Sequence, residues 1–138
     1  MVQLIVGVKG TGKTKLLIEM VNHSIDTTIG SVVCVEKGTK LLHEIKYQAR
    51  LIDTDEYAIK DAHMLYGLIS GICASNHDVT DIFVDSALKI CGNNIDEFVK
   101  FIERLETLTQ SHNINIVMTS SVPSDEIPEA ILKYVVEH

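Results

Sequence analysis

The stretch GVKGTGKT, Gly7-Val8-Lys9-Gly10-Thr11-Gly12-Lys13-Thr14, follows directly on the apolar run Val2 to Val6. It matches G-x-x-x-x-G-K-[S/T], the spacing of a phosphate-cradling loop. Such a loop must follow a strand and open a helix. Gln3-Leu4-Ile5-Val6 reads as the strand, and Lys15-Leu16-Leu17-Ile18-Glu19-Met20-Val21 as the helix. Glycines let backbone N–H groups turn inward around a phosphate, and the helix start adds unpaired N–H donors and a positive dipole end. Lys13 is placed to reach the β- and γ-phosphates of a nucleotide, and the Thr14 hydroxyl to bind Mg2+ together with phosphate oxygens and water. The expected phosphate site therefore comprises Gly7, Val8, Lys9, Gly10, Thr11, Gly12, Lys13, Thr14 and Lys15. The plain alternative is a glycine turn that merely joins a strand to a helix.

Working outward, the 138 residues predict a single domain, and 46% hydrophobic content is ample to fill one core. A net charge of −7 repels nucleic acid and anionic membrane, so neither is an expected partner. No apolar stretch approaches eighteen residues and the N-terminus lacks a signal-peptide pattern, so a cytoplasmic protein is expected. Cys34, Cys73 and Cys91 are widely spaced without a C-x-x-C pair, which reads as small buried residues. The six histidines show no metal-ligand spacing, and none is assigned to a metal.

Beyond the first helix, Thr27 to Gly30 is a break and Ser31-Val32-Val33-Cys34-Val35-Glu36 a β-branched strand ending in an acid. Leu41, Leu42 and Ile45 predict a short helix, and Ala49 to Asp53 a third strand. From Tyr57 to about Ser75 the spacing of Ala58, Ala62, Leu65, Ile69 and Ile72 predicts a long amphipathic helix. Gly67 and Gly71, one turn apart in it, read either as a close approach to the sheet or as tolerated glycines. Asp81 to Val84 is a strand closed by Asp85. Ile95, Phe98, Ile102 and Leu105 give the next helix its buried face, and Ile114 to Thr119 is a further strand. A brief helix near Pro128 to Leu132 and an edge strand at Tyr134 to Val136 complete the reading. Alternating strands and helices predict an α/β fold of three layers, α/β/α, with a mostly parallel sheet and ligands at the carboxyl ends of the strands. Thr14, Glu36, Asp85, Thr119 and Ser120 would gather there.

Asp85 stands where nucleotide-hydrolysing enzymes with this loop place an aspartate that holds Mg2+ through water; a solvent-facing strand end is the alternative. With Val84-Asp85-Ser86 in place, the chain resembles the RecA-like branch of P-loop ATPases, in which an apolar strand ends in aspartate-serine. The resemblance implies a P-loop NTPase core. It implies a catalytic, water-positioning glutamate at Glu36, since Val33-Cys34-Val35-Glu36 looks like the strand that carries that residue. It also implies a γ-phosphate sensor in Val117-Met118-Thr119-Ser120-Ser121, for which Ser120 is the candidate. The chain is similar, too, to small stand-alone proteins sometimes labelled twitching-motility, or pilus-retraction, ATPases. That label is not carried over as function, because the acidic and histidine-bearing boxes of those motors have no counterpart here.

Together these readings predict a Mg2+-dependent, ATP-binding, slow ATPase in which Glu36 positions water while Lys13 and a Mg2+ on Thr14 and Asp85 stabilise the transferring phosphoryl charge. The alternative is a nucleotide-binding switch or adaptor with negligible hydrolysis. A small-molecule kinase ranks last, since Arg50 and Arg104 are the only arginines to clamp phosphates. ATP is expected over GTP because no N-K-x-D type sequence is present. A homo-oligomer or a protein partner is compatible with this reading.

Overall fold

A computed structural model of the chain describes residues 1–136. The elements run β1 (Val2–Gly7), α1 (Lys13–Thr27), β2 (Ser31–Glu36), β3 (Arg50–Asp53), α2 (Ala62–Ser75), β4 (Val79–Val84), α3 (Ala87–Ile90), α4 (Ile95–His112) and β5 (Asn115–Ser121). Two 3-10 helices follow, Ser124–Glu126 and Glu129–Tyr134. The five strands form one sheet in the order β1-β5-β4-β2-β3, every neighbouring pair parallel. The predicted α/β class and parallel sheet are therefore present.

Parallel strands covered on both faces read as continuous apolar runs, and β2, β4 and β5 have that composition. Side-chain alternation divides the core in two. Leu4, Val6, Val35, Ile82, Val84, Ile116 and Met118 pack with Leu65 and Ile69 of α2 and with Phe98, Ile102 and Leu105 of α4. On the opposite face Ile5, Val32, Cys34, Phe83 and Val117 pack with Leu17 and Val21 of α1 and with Leu41, Ile45 and Ala49. The chain steps from β1 to β2 across one face and returns through β4 to β5 across the other, as right-handed crossovers in opposite directions require.

Three local expectations change, and the alternative left open at Gly67 and Gly71 is decided. Residues 37–49 form turns rather than the short helix predicted from Leu41, Leu42 and Ile45. Leu41 and Ile45 are nevertheless both buried, one turn apart, with Ile45 N–H donating to Leu41 O at 3.1 Å. The loop is fastened to α1 instead: Asn22 donates to Glu44 O at 3.0 Å and accepts from Lys46 N–H at 3.0 Å. α2 begins at Ala62 and not near Tyr57, because Ala58 takes a left-handed φ of 55° and Asp61 caps the helix, accepting from Met64 N–H at 2.8 Å. Gly67 and Gly71 are exposed with open space where a Cβ would stand, so they mark no close approach to the sheet. The expected strand at Tyr134 to Val136 is reduced to one bridge, Leu4 to Val135, with Val136 N–H donating to Leu4 O at 2.9 Å along the edge of β1.

Candidate functional site

Between β1 and α1 the glycine-rich loop holds its glycines where side chains are disfavoured: φ is 153° at Gly7, 87° at Gly10 and 85° at Gly12. At Gly7 a Cβ would also lie 2.8 Å from Thr11 Oγ1. The loop curls around one carbonyl. Val8 O accepts from Thr11 Oγ1 at 2.8 Å and from Lys13 Nζ at 2.8 Å. Among the described residues the backbone N–H groups of Gly10, Thr11, Gly12, Lys13 and Thr14 donate to no protein acceptor. Consecutive unpaired N–H groups ahead of a helix form a concavity of positive potential suited to an anion.

Opposite this loop, at the carboxyl end of β4, Asp85 is the centre of a polar cluster. Its Oδ1 accepts from Thr14 Oγ1 at 3.1 Å and from Thr119 Oγ1 at 2.7 Å. Thr119 Oγ1 in turn accepts from Ser86 N–H at 2.8 Å. Ser86 takes a left-handed conformation, φ 58° and ψ 48°, which turns the chain sharply from β4 into α3. A non-glycine residue in that region is strained and is held by its surroundings, a feature that concentrates at functional sites.

A cleft of about 380 Å³ opens between the loop and this cluster, walled by Lys9, Gly10 and Gly12 to Lys15 on one side and by Lys40, Leu41, Asp85, Ser86, Lys89, Thr119 and Ser121 on the other. Among the described residues five lysines, Lys9, Lys13, Lys15, Lys40 and Lys89, line it with a single carboxylate, Asp85. In a chain of net charge −7 that concentration gives the cleft a field opposite to the rest of the molecule. Lys13 is only 7% exposed. Burial pulls its ammonium pKa below the ordinary value, and the nearby Asp85 charge opposes that fall. A larger groove of about 530 Å³ beside Leu42, Tyr47 and Arg50 has one cation and none of the motif residues. The larger cavity is thus not the one that the motif residues line.

Thus Gly10, Gly12, Lys13, Thr14, Lys15, Lys9 and Asp85 meet around one cleft, with Gly7, Val8 and Thr11 forming the frame of the loop. Two expected residues stand elsewhere. Glu36 is 5% exposed and absent from the cleft wall; its Oε1 accepts from Lys40 N–H at 3.1 Å and its Oε2 from Leu41 N–H at 2.9 Å. Both carboxylate oxygens are thus engaged by the backbone of the loop that follows β2. Ser120 is turned to the other side of β5, donating to Thr119 O at 2.8 Å and accepting from Leu88 N–H at 3.3 Å. Strand alternation brings Thr119 and Ser121 to the cleft in its place. Sequence reasoning missed Ser121, Lys40 and Lys89. The parity of β5 would have separated Thr119 and Ser121 from Ser120, whereas nothing local marked the two lysines.

The cysteines expected to be buried are so. Burial, aided by the charges of Glu36 and Asp85, pushes the Cys34 thiol up to about 12, which leaves it without thiolate character at neutral pH. No helix among the described residues is long and apolar enough to cross a membrane. No protein-family model matches the chain, and no curated protein matches it.

Proposed function

We propose that the chain is a P-loop protein of RecA-like type that binds ATP with Mg2+ in the cleft between the glycine-rich loop and Asp85. The observation that carries this reading is the convergence of unpaired loop N–H groups, Lys13 and the Thr14–Asp85 contact on one five-lysine cleft. Its volume lies within the range of small-ligand sites. A triphosphate supplies charge for the lysines and acceptors for the N–H groups.

The oxygen donors suit Mg2+, a hard cation that binds through one or two carboxylates together with substrate phosphates. The Thr14 hydroxyl and Asp85 carboxylate would hold it. Among the described residues no three His, Cys, Asp or Glu side chains cluster as a metal site, so phosphate oxygens and water would have to complete the shell. Bound there, the ion neutralises developing charge on the phosphates.

Two outcomes for the bound nucleotide were anticipated, slow hydrolysis and a switch with negligible turnover. The commitment of both Glu36 oxygens to Lys40 and Leu41 supports the switch, because it leaves Asp85 as the sole carboxylate in the cleft among the described residues. Thermal unfolding with and without Mg2+ and ATP, GTP or ADP tests the binding reading. A ligand at a hundredfold its Kd stabilises by about 2.7 kcal/mol. An unchanged Tm with every nucleotide at millimolar concentration would sink it. Single-turnover hydrolysis of pre-bound ATP then separates a slow ATPase from a switch.

A further inference from the structure

Lys40 reaches the cleft from outside the glycine-rich loop, and its backbone is held more firmly than its exposed side chain suggests. Its N–H donates to Glu36 Oε1, and the next N–H, that of Leu41, donates to Glu36 Oε2. Leu41 itself is 2% exposed and packs with Ile5, Leu17, Val21 and Phe83. A buried carboxylate and a buried leucine therefore clamp the backbone at Lys40, while its ammonium makes no hydrogen bond or ion pair among the described residues.

Strand order gives this lysine a direction. The glycine-rich loop leaves β1, Asp85 ends β4, and the Lys40 loop leaves β2 on the far side of β4 from β1. A phosphate chain that starts in the nest of loop N–H groups and passes the Thr14–Asp85 contact ends toward β2. We infer that Glu36 is a positioning residue that holds Lys40 at the cleft wall, where the lysine meets the terminal phosphate of a bound nucleoside triphosphate. The inference rests on the P-loop reading above. It replaces a water-positioning carboxylate with a cation that distinguishes triphosphate from diphosphate, since a diphosphate is one phosphoryl group too short to reach it. An ammonium on a phosphate oxygen is a charge-assisted contact, among the stronger hydrogen bonds available to a protein.

Calorimetric titration with Mg-ATP and Mg-ADP of the wild type, Lys40→Ala, Lys40→Arg, Glu36→Gln and the double variant Glu36→Gln/Lys40→Ala tests this. Lys40→Ala is expected to weaken ATP about tenfold and ADP less than about twofold, and Lys40→Arg to restore most of the loss. Glu36→Gln, which turns one acceptor into a donor facing an N–H group, is expected to weaken ATP selectively as well. The double variant should then bind ATP no more weakly than Lys40→Ala alone, as coupled residues do. Equal losses for ATP and ADP, or none, would overturn the assignment of Lys40, and additive losses in the double variant would overturn the role of Glu36. Should Glu36→Gln fail to fold, the exposed Lys40 variants still decide whether the lysine reads the terminal phosphate. A wild type that binds neither nucleotide removes the P-loop reading and this inference together, whereas ADP binding without ATP selectivity removes only the inference.

Discussion

The Thr14 hydroxyl donates to Asp85 Oδ1 at 3.1 Å across 71 positions of the chain. Thr14 belongs to the first turn of α1 and Asp85 to the end of β4, strands and helices that are not neighbours in sequence or adjacent in the sheet. Thr119, at the end of the intervening β5, donates to the same oxygen at 2.7 Å and completes the bridge.

Asp85→Asn keeps an acceptor oxygen for Thr14 and Thr119, so Tm is expected to change by only a few degrees. The lost charge should abolish the Mg2+ dependence of ATP binding, because an amide oxygen draws poorly on a metal or its water shell. Titration with ATP in Mg2+ and in chelator measures this. An undiminished Mg2+ requirement would return Asp85 to an ordinary strand end.

Lys13→Ala removes the buried ammonium but leaves Thr11 Oγ1 on Val8 O, so the loop retains one of its two closing bonds. Folding is expected to persist while ATP affinity falls by about two orders of magnitude, the scale of losing a charge-assisted phosphate contact in a desolvated site. Equal affinity in the two proteins would contradict the assignment of the cleft.

Two glycines separate close approach from open space. At Gly30 a Cβ would lie 2.1 Å from Asp78 O and 2.5 Å from Thr80 Cγ2, next to the bond from Ser31 N–H to that same carbonyl. Gly30→Ala should destabilise by about 3 kcal/mol or more. At Gly67, inside α2, nothing lies within 4 Å, so Gly67→Ala should stabilise by about 0.5–1 kcal/mol. Denaturant unfolding of both variants checks the pair, and a destabilised Gly67→Ala would mean that α2 is in close contact after all.

Burial raises the Glu36 carboxyl pKa above its ordinary 4.5; the Leu41 and Lys40 N–H bonds pull it down, and the charges of Asp85 and Asp53 add to the rise. The folded state then holds this proton more tightly than the unfolded chain. Its contribution to stability is full below the unfolded value and is lost as pH rises through the folded one. Relative to Glu36→Gln, the wild type is therefore expected to lose stability as pH rises above the ordinary carboxyl value of 4.5. A difference curve from denaturant unfolding that rises there would show that the N–H bonds outweigh the burial.

What was legible in the sequence was local. The β1-loop-α1 unit is written in adjacent residues, and Asp85 is marked by the apolar strand that it closes. The loop after β2 was not legible, because Leu41 and Ile45 have helical spacing and are buried as a helix would bury them. The competing partner is the Asn22 side chain, which takes Glu44 O and Lys46 N–H, the groups a continuing helix would pair with Gln48 N–H and Leu42 O. α2 lost its expected first turn to the cap at Asp61, a competition between two legitimate starts. Parity along β5 sets Ser120 apart from Thr119 and Ser121, but which of the two sets faces the cleft depends on packing that the sequence does not carry. Lys40 and Lys89 needed the strand order itself, which no local pattern carries.

β1 takes its hydrogen bonds from β5, in register from Val2 with Ile116 to Gly7 with Ser121, and the Met1 amine donates to Ile114 O at 2.8 Å across 113 positions. On a ribosome the strand that leads into the glycine-rich loop is thus made well before β5 and left without its supporting strand until β5 has emerged. At roughly 5–20 residues per second that interval is on the order of ten seconds. α1 can coil during it, but the strand that aims the loop has nothing to lie against. Competence to bind nucleotide should consequently arrive late and in a single step, and nascent chains stalled before Asn115 should carry the whole loop without holding a nucleotide.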